Sequence, residues 1–250
     1  MSYPYAEPRI VDRLDDCHFY HTIDIPGFGA VEGEWDLRKG LDAYLGGCDL
    51  RGKRVLDVGA ASGILSFHAE SKGAEVVSFD LSEDYDWDLV PFAAADAAML
   101  DALRRAHLRK LNNGYWLCHR AFGSQARMVH GVVYDIPQAI GPVDVAIYGS
   151  ILLHLRDPFR ALQSGARLAR EAIVVTDLVP WKGFGALLRA PRFLPDHRRL
   201  ANADTWWALP PRLVREWLAI LGFPNATVTW SRQSYRGRGK WLYTIAARRA

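Results

Sequence analysis

Residues Asp57-Val58-Gly59-Ala60-Ala61-Ser62-Gly63 join one carboxylate to a run of small side chains. A second carboxylate, Asp80, follows 23 residues later at the end of another apolar run. A glycine turn lets backbone approach a ligand closely, and a carboxylate at a strand end can accept from an ammonium or from paired hydroxyls. The turn lacks the G-x-G-x-x-G spacing that a pyrophosphate needs, because Ala61 and Ile64 occupy the second and third glycine positions. An NAD or FAD site is therefore disfavoured. Further on, His154 follows a β-branched run, and is a candidate base or acceptor-orienting group or else a structural residue at a helix start. Tyr134 and Asp135 precede Pro137, where Asp135 either accepts from an amino group or closes a turn. Trp87 stands among acids, and Trp206-Trp207 can stack a flat ring or fill a core.

The elements that must position these residues are legible from Arg54 onward. Arg54 to Gly59 reads as a buried strand, Gly63 to Lys72 as a helix stopped by Gly73, and Ala74 to Asp80 as the next strand. A helix is expected from Ala95 to Leu111, ended by Asn112-Asn113-Gly114. Strands follow at Gln125 to Val133, Val143 to Tyr148 and Ala172 to Asp177. Pro158 to Ala169 is a helix with Asp157 as its N-cap, and Pro211 to Leu221 is a helix stopped by Gly222. The runs Ala226 to Trp230 and Trp241 to Ala247 are strands joined by a polar basic link, Ser231 to Lys240. Alternating strands and helices predict an α/β fold: a Rossmann-like, seven-stranded, mostly parallel sheet with helices on both faces and an antiparallel C-terminal hairpin. Residues 1–50 read as an N-terminal lid or extension and 51–250 as the main domain, with an insertion at about 180–209.

The 250-residue chain is half hydrophobic and 24% charged, which excludes intrinsic disorder. Met1 to Cys17 has no basic region followed by an apolar run, and no stretch of about 18 apolar residues exists, so neither a signal peptide nor a membrane span is expected. Cys17, Cys48 and Cys118 are too few and too scattered for a disulfide framework or a metal pair; they read as reduced thiols of a cytoplasmic protein. The net charge of +3 hides an asymmetry, with +10 from Lys182 to the C-terminus and −7 before it. The basic third suggests an anionic partner or simply a solvated face.

The loop resembles the acid-x-G-x-G-x-G turn of class I S-adenosylmethionine (SAM) methyltransferases, with Ala61 in place of the middle glycine. Within that class the chain is most similar to the tRNA wobble-uridine modifying family and its small-molecule relatives. The likeness rests on Phe19-Tyr20-His21-Thr22-Ile23-Asp24 with Gly33-Glu34-Trp35-Asp36-Leu37-Arg38, on the loop, on Tyr148 to Pro158, and on Trp206-Trp207-x-x-Pro210. It implies SAM as cofactor, held by Asp57, Gly59, Ala60, Ala61, Ser62, Gly63, Asp80, Leu81, Ser82, Tyr134, Asp135, Gly149, Ser150, Trp35 and Arg38. It implies His154 and His21 as catalytic residues and Tyr20, Trp87, Trp206 and Trp207 against the acceptor, with no metal. The family's RNA-modifying members hold a carboxylated SAM with a tyrosine before the histidine; Leu153 stands here, so methyl transfer to an O or N of a small molecule is expected, with tRNA modification as the alternative. Arg189, Arg192, Arg198 and Arg199 of the insertion suggest an anionic acceptor group, and Trp181 with Trp206-Trp207 an aromatic one. The sequence is silent on oligomeric state.

Overall fold

The apolar runs read as buried strands lie side by side at the centre of one sheet. The computed structural model describes residues 5–180, 189–200 and 203–250. β1 (Ile23–Ile25) and β2 (Gly29–Val31) form a small hairpin, followed by β3 (Trp35–Asp36) and the short helix α1 (Leu41–Tyr44). The α/β repeat then runs β4 (Arg54–Val58), α2 (Ile64–Ser71), β5 (Glu75–Asp80), α3 (Ala97–Phe122), β6 (Arg127–His130), β7 (Val143–Gly149), α4 (Pro158–Ala166) and β8 (Ala169–Leu178). β9 (Arg192–Phe193) and β10 (Trp207–Ala208) pair within the insertion, and α5 (Pro211–Ile220), β11 (Asn225–Tyr235) and β12 (Arg238–Arg248) complete the chain.

The main sheet has the order β3-β11-β12-β8-β7-β4-β5-β6. β4 to β8 are parallel, and β12, β11 and β3 are added antiparallel. The eighth strand beyond the expected seven is β3, too short to read as a strand, whose Trp35 and Asp36 pair with Tyr235 and Ser234. Strand order reverses at β4, so the β4 and β7 C-terminal ends open the crevice where this architecture binds ligands. Apolar clusters pack both sheet faces, and a third, around Phe19, Ile23, Phe67 and Tyr115, ties the N-terminal segment to α2 and α3. Among the described residues no helix is long and apolar enough to cross a membrane.

The C-terminal hairpin and α3 run furthest past their expected ends. Ser231 to Lys240 is not a link; β11 and β12 run through it and turn only at Arg236-Gly237, where φ is +46° and +74°. The alternation was masked because the inward side chains there are polar: Ser231 and Gln233 are buried, and Gln233 Nε2 donates to the Gly40 carbonyl at 3.1 Å.

α3 likewise runs through Asn112-Asn113-Gly114 to a left-handed Gly123, after an N-cap in which Asp96 accepts from Met99 N. The three residues are a docking surface and not a stop. Asn112 Nδ2 donates to the Leu108 and Leu81 carbonyls, and Asn113 Nδ2 donates to Asp16. A Cβ at Gly114 would lie 2.7 Å from the His18 carbonyl oxygen. Gly114→Ala gains about 1 kcal/mol of helix propensity. It also overpacks a backbone contact at a cost of about 1–3 kcal/mol. The expected net result is a lower melting temperature and faster proteolysis of the segment before Tyr20; a variant as stable and as protease-resistant as the parent would show that the contact yields freely.

Candidate active site

The β4 turn folds so that its small residues are required. Gly59 and Gly63 have φ of +80° and +89°. A Cβ at Gly59 would sit 2.6 Å from Ile151 Cδ1, and one at Gly63 2.3 Å from the Phe67 ring. Ala61 keeps the left-handed conformation at φ +50° despite its side chain, a strain of about 1–2 kcal/mol. The fold holds it there: Ala61 N donates to Asp80 Oδ2 at 2.6 Å, and Leu81 N donates to Asp80 Oδ1 at 2.7 Å. Asp80 is thus the clasp between the first loop and the second strand, and burial pushes its carboxyl up to about 6.

Asp57 lies beneath the loop, 1% exposed. Its Oδ2 accepts from Ser66 Oγ at 2.6 Å; Ser66 and Ser78 hydroxyls are 2.7 Å apart, and Tyr115 OH donates to Ser78 at 2.9 Å. With the Ser66 proton on Asp57, the three hydroxyls donate in one direction, toward the carboxylate. Asp57 Oδ1 and Ser62 Oγ are buried without a hydrogen-bond partner among the described residues. Burial pushes Asp57 up to about 7. A buried carboxylate oxygen with no donor, beside a loop too tight for side chains, fits the cationic amino-acid end of SAM.

The β7 end faces this loop through Ile151. Ser150 is left-handed at φ +54°, its N donates to the Thr176 carbonyl at 2.7 Å, and its Oγ is 2.9 Å from Tyr44 OH. Gly149 is enclosed, since a Cβ would meet Leu65 at 2.5 Å and Tyr44 OH at 3.2 Å. His154 closes the following 3-10 turn, half-buried, with Nδ1 2.5 Å from the Asp204 carbonyl oxygen. A carbonyl only accepts, so Nδ1 carries a proton, and in the neutral ring Nε2 is then the acceptor. Asp177, at the end of β8, is 2% exposed; its Oδ1 accepts from Leu178 N and its Oδ2 has no partner among the described residues. Burial pushes it to about 7.

Several expected residues have other partners. Trp206 Nε1 donates to the Asp88 carbonyl at 2.7 Å and its backbone N to Leu153 O at 2.8 Å; Trp207 Nε1 donates to Arg156 O at 3.1 Å. The Trp206 backbone N and the Trp207 indole therefore pin the segment carrying Asp204 against the turn after β7, and the Trp206 indole ties it to the Asp88 loop. Tyr134 OH donates to Asp88 and accepts from Asp157 N at 3.1 Å, joining loop 84–88 to the start of α4. Asp135 is exposed in a 3-10 turn, and Ser82 is buried, bonded to Asp84. Arg38 is committed to Asp24 and Asp36, both at 2.7 Å. Trp35 is buried against Tyr235, with ring centroids 4.8 Å apart, and its backbone N donates to Tyr20 O at 3.1 Å. Burial raises Tyr20 to about 12 and lowers His21 to about 4, so both stay neutral. Arg189 pairs with Glu216 of α5, and Arg198 N and the Arg199 side chain turn to Asp196. Trp181 lies outside the described residues. Among the described residues no group of three or more His, Cys, Asp or Glu is placed to hold a metal ion.

Sequence reading missed Ser66, Ser78, Tyr115, Tyr44 and Asp177. The available signal was polarity within buried runs, as in Ser66 of α2 and Ser78 of β5.

The sheet order with its antiparallel C-terminal hairpin is that of the class I SAM-dependent methyltransferases, and the chain has that fold. It is similar to a ubiquinone biosynthesis O-methyltransferase of Cupriavidus pinatubonensis, 27% identical over 168 residues, covering 67% of this chain and 56% of that protein. The chain spans about half the length of such curated relatives. Among solved structures, the N-terminal domain of EvdMO1 with S-adenosylhomocysteine (SAH) bound superposes with a TM-score of 0.57 at 17% identity, over 95% of this chain and 93% of that one. Magnesium protoporphyrin IX methyltransferase from Synechocystis PCC 6803 with bound SAH gives 0.54 at 17% identity, over 86% and 82%. No protein-family model matches.

Proposed function

We propose that this chain is a SAM-dependent methyltransferase that acts on an oxygen or nitrogen of a small-molecule acceptor. The observation that carries this reading is the buried, unpartnered Asp57 Oδ1 beneath a loop clasped by Asp80. The relatives and solved neighbours named as methyltransferases support it. When bound, SAM supplies an electrophilic methyl group on a sulfonium. Asp57 would hold its ammonium and Asp80 its ribose hydroxyls, while the Gly59–Gly63 turn excludes bulk. His154 Nε2, fixed as an acceptor through Nδ1, is available to take the proton of an O–H or N–H nucleophile. The remaining catalysis is alignment in a crevice that excludes water. Leu153, without a hydrogen-bonding group, supports methyl over carboxymethyl as the transferred group.

Calorimetry is expected to show SAH binding and no NAD binding. Asp80→Ala removes charge-assisted contacts worth about 1.5–3 kcal/mol, so SAH affinity should fall roughly 10- to 100-fold. Unchanged affinity in that variant, or tight NAD binding, would refute the assignment. Saturable tRNA binding that survives about 0.2 M salt would favour the wobble-uridine reading, because a merely basic face loses affinity steeply there.

A further inference from the structure

A continuous line of side chains runs from His154 to the N-terminal segment. The Asp204 residue that holds His154 through its carbonyl pairs through its carboxylate with Arg104 of α3 at 2.9 Å. The Arg104 guanidinium lies 5.0 Å from the Trp87 ring centroid. Trp87 is 5.8 Å from the His107 ring, and His107 is 4.5 Å from the His18 ring. His18 Nε2 is buried without a hydrogen-bond partner among the described residues.

Two of the charges beside this wall are matched by a partner, while Lys110, near His18, turns its Nζ to the Asp15 carbonyl. Arg104 is matched by Asp204, and Glu34 by Arg236 at 3.2 Å, with Tyr235 OH also donating to Glu34. Burial lowers both imidazoles below the ordinary histidine value. Lys110 adds to this at His18, and His18 with Arg104 add to it at His107; Glu34 opposes it at both, and Asp204 at His107. Each neutral ring offers one donor and one acceptor. An anionic group would have to compete with Asp204 for Arg104, disturbing the residue that fixes His154. Of the insertion arginines that suggested an anion, Arg189 is paired with Glu216 and Arg199 turns to Asp196.

We propose that His18, Trp87 and His107 form one wall of the acceptor site and select a flat, uncharged ring bearing hydrogen-bonding oxygen or nitrogen atoms. Trp87 supplies a stacking face and the imidazoles read the polar edge. The inference rests on the methyltransferase reading and adds the acceptor's class to it.

The test uses the full chain saturated with SAH, with catechol as neutral probe and 3,4-dihydroxybenzoate as its anionic counterpart. Catechol is expected to quench tryptophan fluorescence saturably and to bind at least about tenfold more tightly than the benzoate. The chain has nine tryptophans, so Trp87→Phe should remove most of the quench and assign it. His107→Gln and His18→Gln should each weaken catechol about tenfold, the value of one lost hydrogen bond, with SAH affinity and far-UV circular dichroism unchanged. His107 is half-exposed on α3, so its variant keeps the test open should the His18 variant misfold. Equal or tighter binding of the benzoate, catechol affinity indifferent to His107→Gln, or no saturable catechol binding up to its solubility overturns the proposal. Failure of the parent chain to bind SAH would instead overturn the methyltransferase reading beneath it.

Discussion

Replacing His154 by alanine is expected to lower turnover by about 10²-fold or more while leaving SAH affinity within about twofold. The asymmetry follows from where the imidazole is anchored. It is held by the Asp204 carbonyl at 2.5 Å, on the segment that Trp206 pins to Leu153 and Asp88, and not by the β4 turn that would receive the cofactor. Removing the ring deletes a proton acceptor and leaves Asp57, Asp80 and the glycine turn in place. Single-turnover kinetics with any methylated product found for the chain, alongside SAH calorimetry, separates the two quantities. Near-normal turnover would reduce His154 to a structural pin and leave alignment as the source of rate. A parallel collapse of SAH affinity would instead show that the β7 turn shapes the cofactor site through Ile151, whose side chain occupies the space a Cβ at Gly59 would need.

The parts of this site that were legible in the sequence are those where chemistry and topology coincide. Asp57, Gly59, Gly63 and Asp80 stand at the C-terminal ends of the adjacent strands β4 and β5, beside the point where sheet order reverses, so spacing alone places them. Ala61 departed from the glycine pattern, yet the turn persists because Asp80 Oδ2 holds its amide. What escaped reading depends on contacts distant in sequence. Asn112-Asn113-Gly114 has the composition of a helix stop, and only the N-terminal backbone against Gly114 explains why the helix continues. Trp206 and Trp207 were read by their ring faces, but their Nε1–H groups decide their use, each meeting a carbonyl over 50 residues away. The resemblance implies Arg38 against the cofactor and the insertion arginines suggest an anionic acceptor, yet the fold places a carboxylate of the chain beside Arg38, Arg189 and Arg199. His18 and His107 carried no motif at all; they become a pair only when α3 and the N-terminal segment dock.

SAH affinity is expected to rise steeply between about pH 5 and 8, with protons released on binding. In the free chain burial holds Asp57 at about 7 and Asp80 at about 6, so both carboxyls carry protons for much of the time on the acid side of neutrality. An ammonium beside Asp57 and hydroxyl donors at Asp80 favour the ionised forms, so binding must first expel those protons. Below its free pKa each group costs up to about tenfold in affinity per pH unit, and the two together amount to roughly 10²- to 10³-fold over the interval. Folding of the free chain carries the opposite sign at these positions. A carboxyl raised above its unfolded value contributes stability that is fully present below about pH 4 and is lost as pH climbs through 6 to 7. His21, lowered to about 4 by burial, pulls the other way between about 4 and 6.5, so the melting temperature of the whole chain mixes the two. The binding measurement does not, because His21 keeps its environment. Calorimetry in buffers of different ionisation enthalpy reads the released protons directly, and Asp57→Asn should abolish the portion centred near pH 7 while weakening binding on the alkaline side. Affinity independent of pH with no buffer-dependent heat would mean that Asp57 and Asp80 are already ionised before the cofactor arrives, and that the hydroxyl chain from Tyr115 stabilises Asp57 far more than its burial opposes.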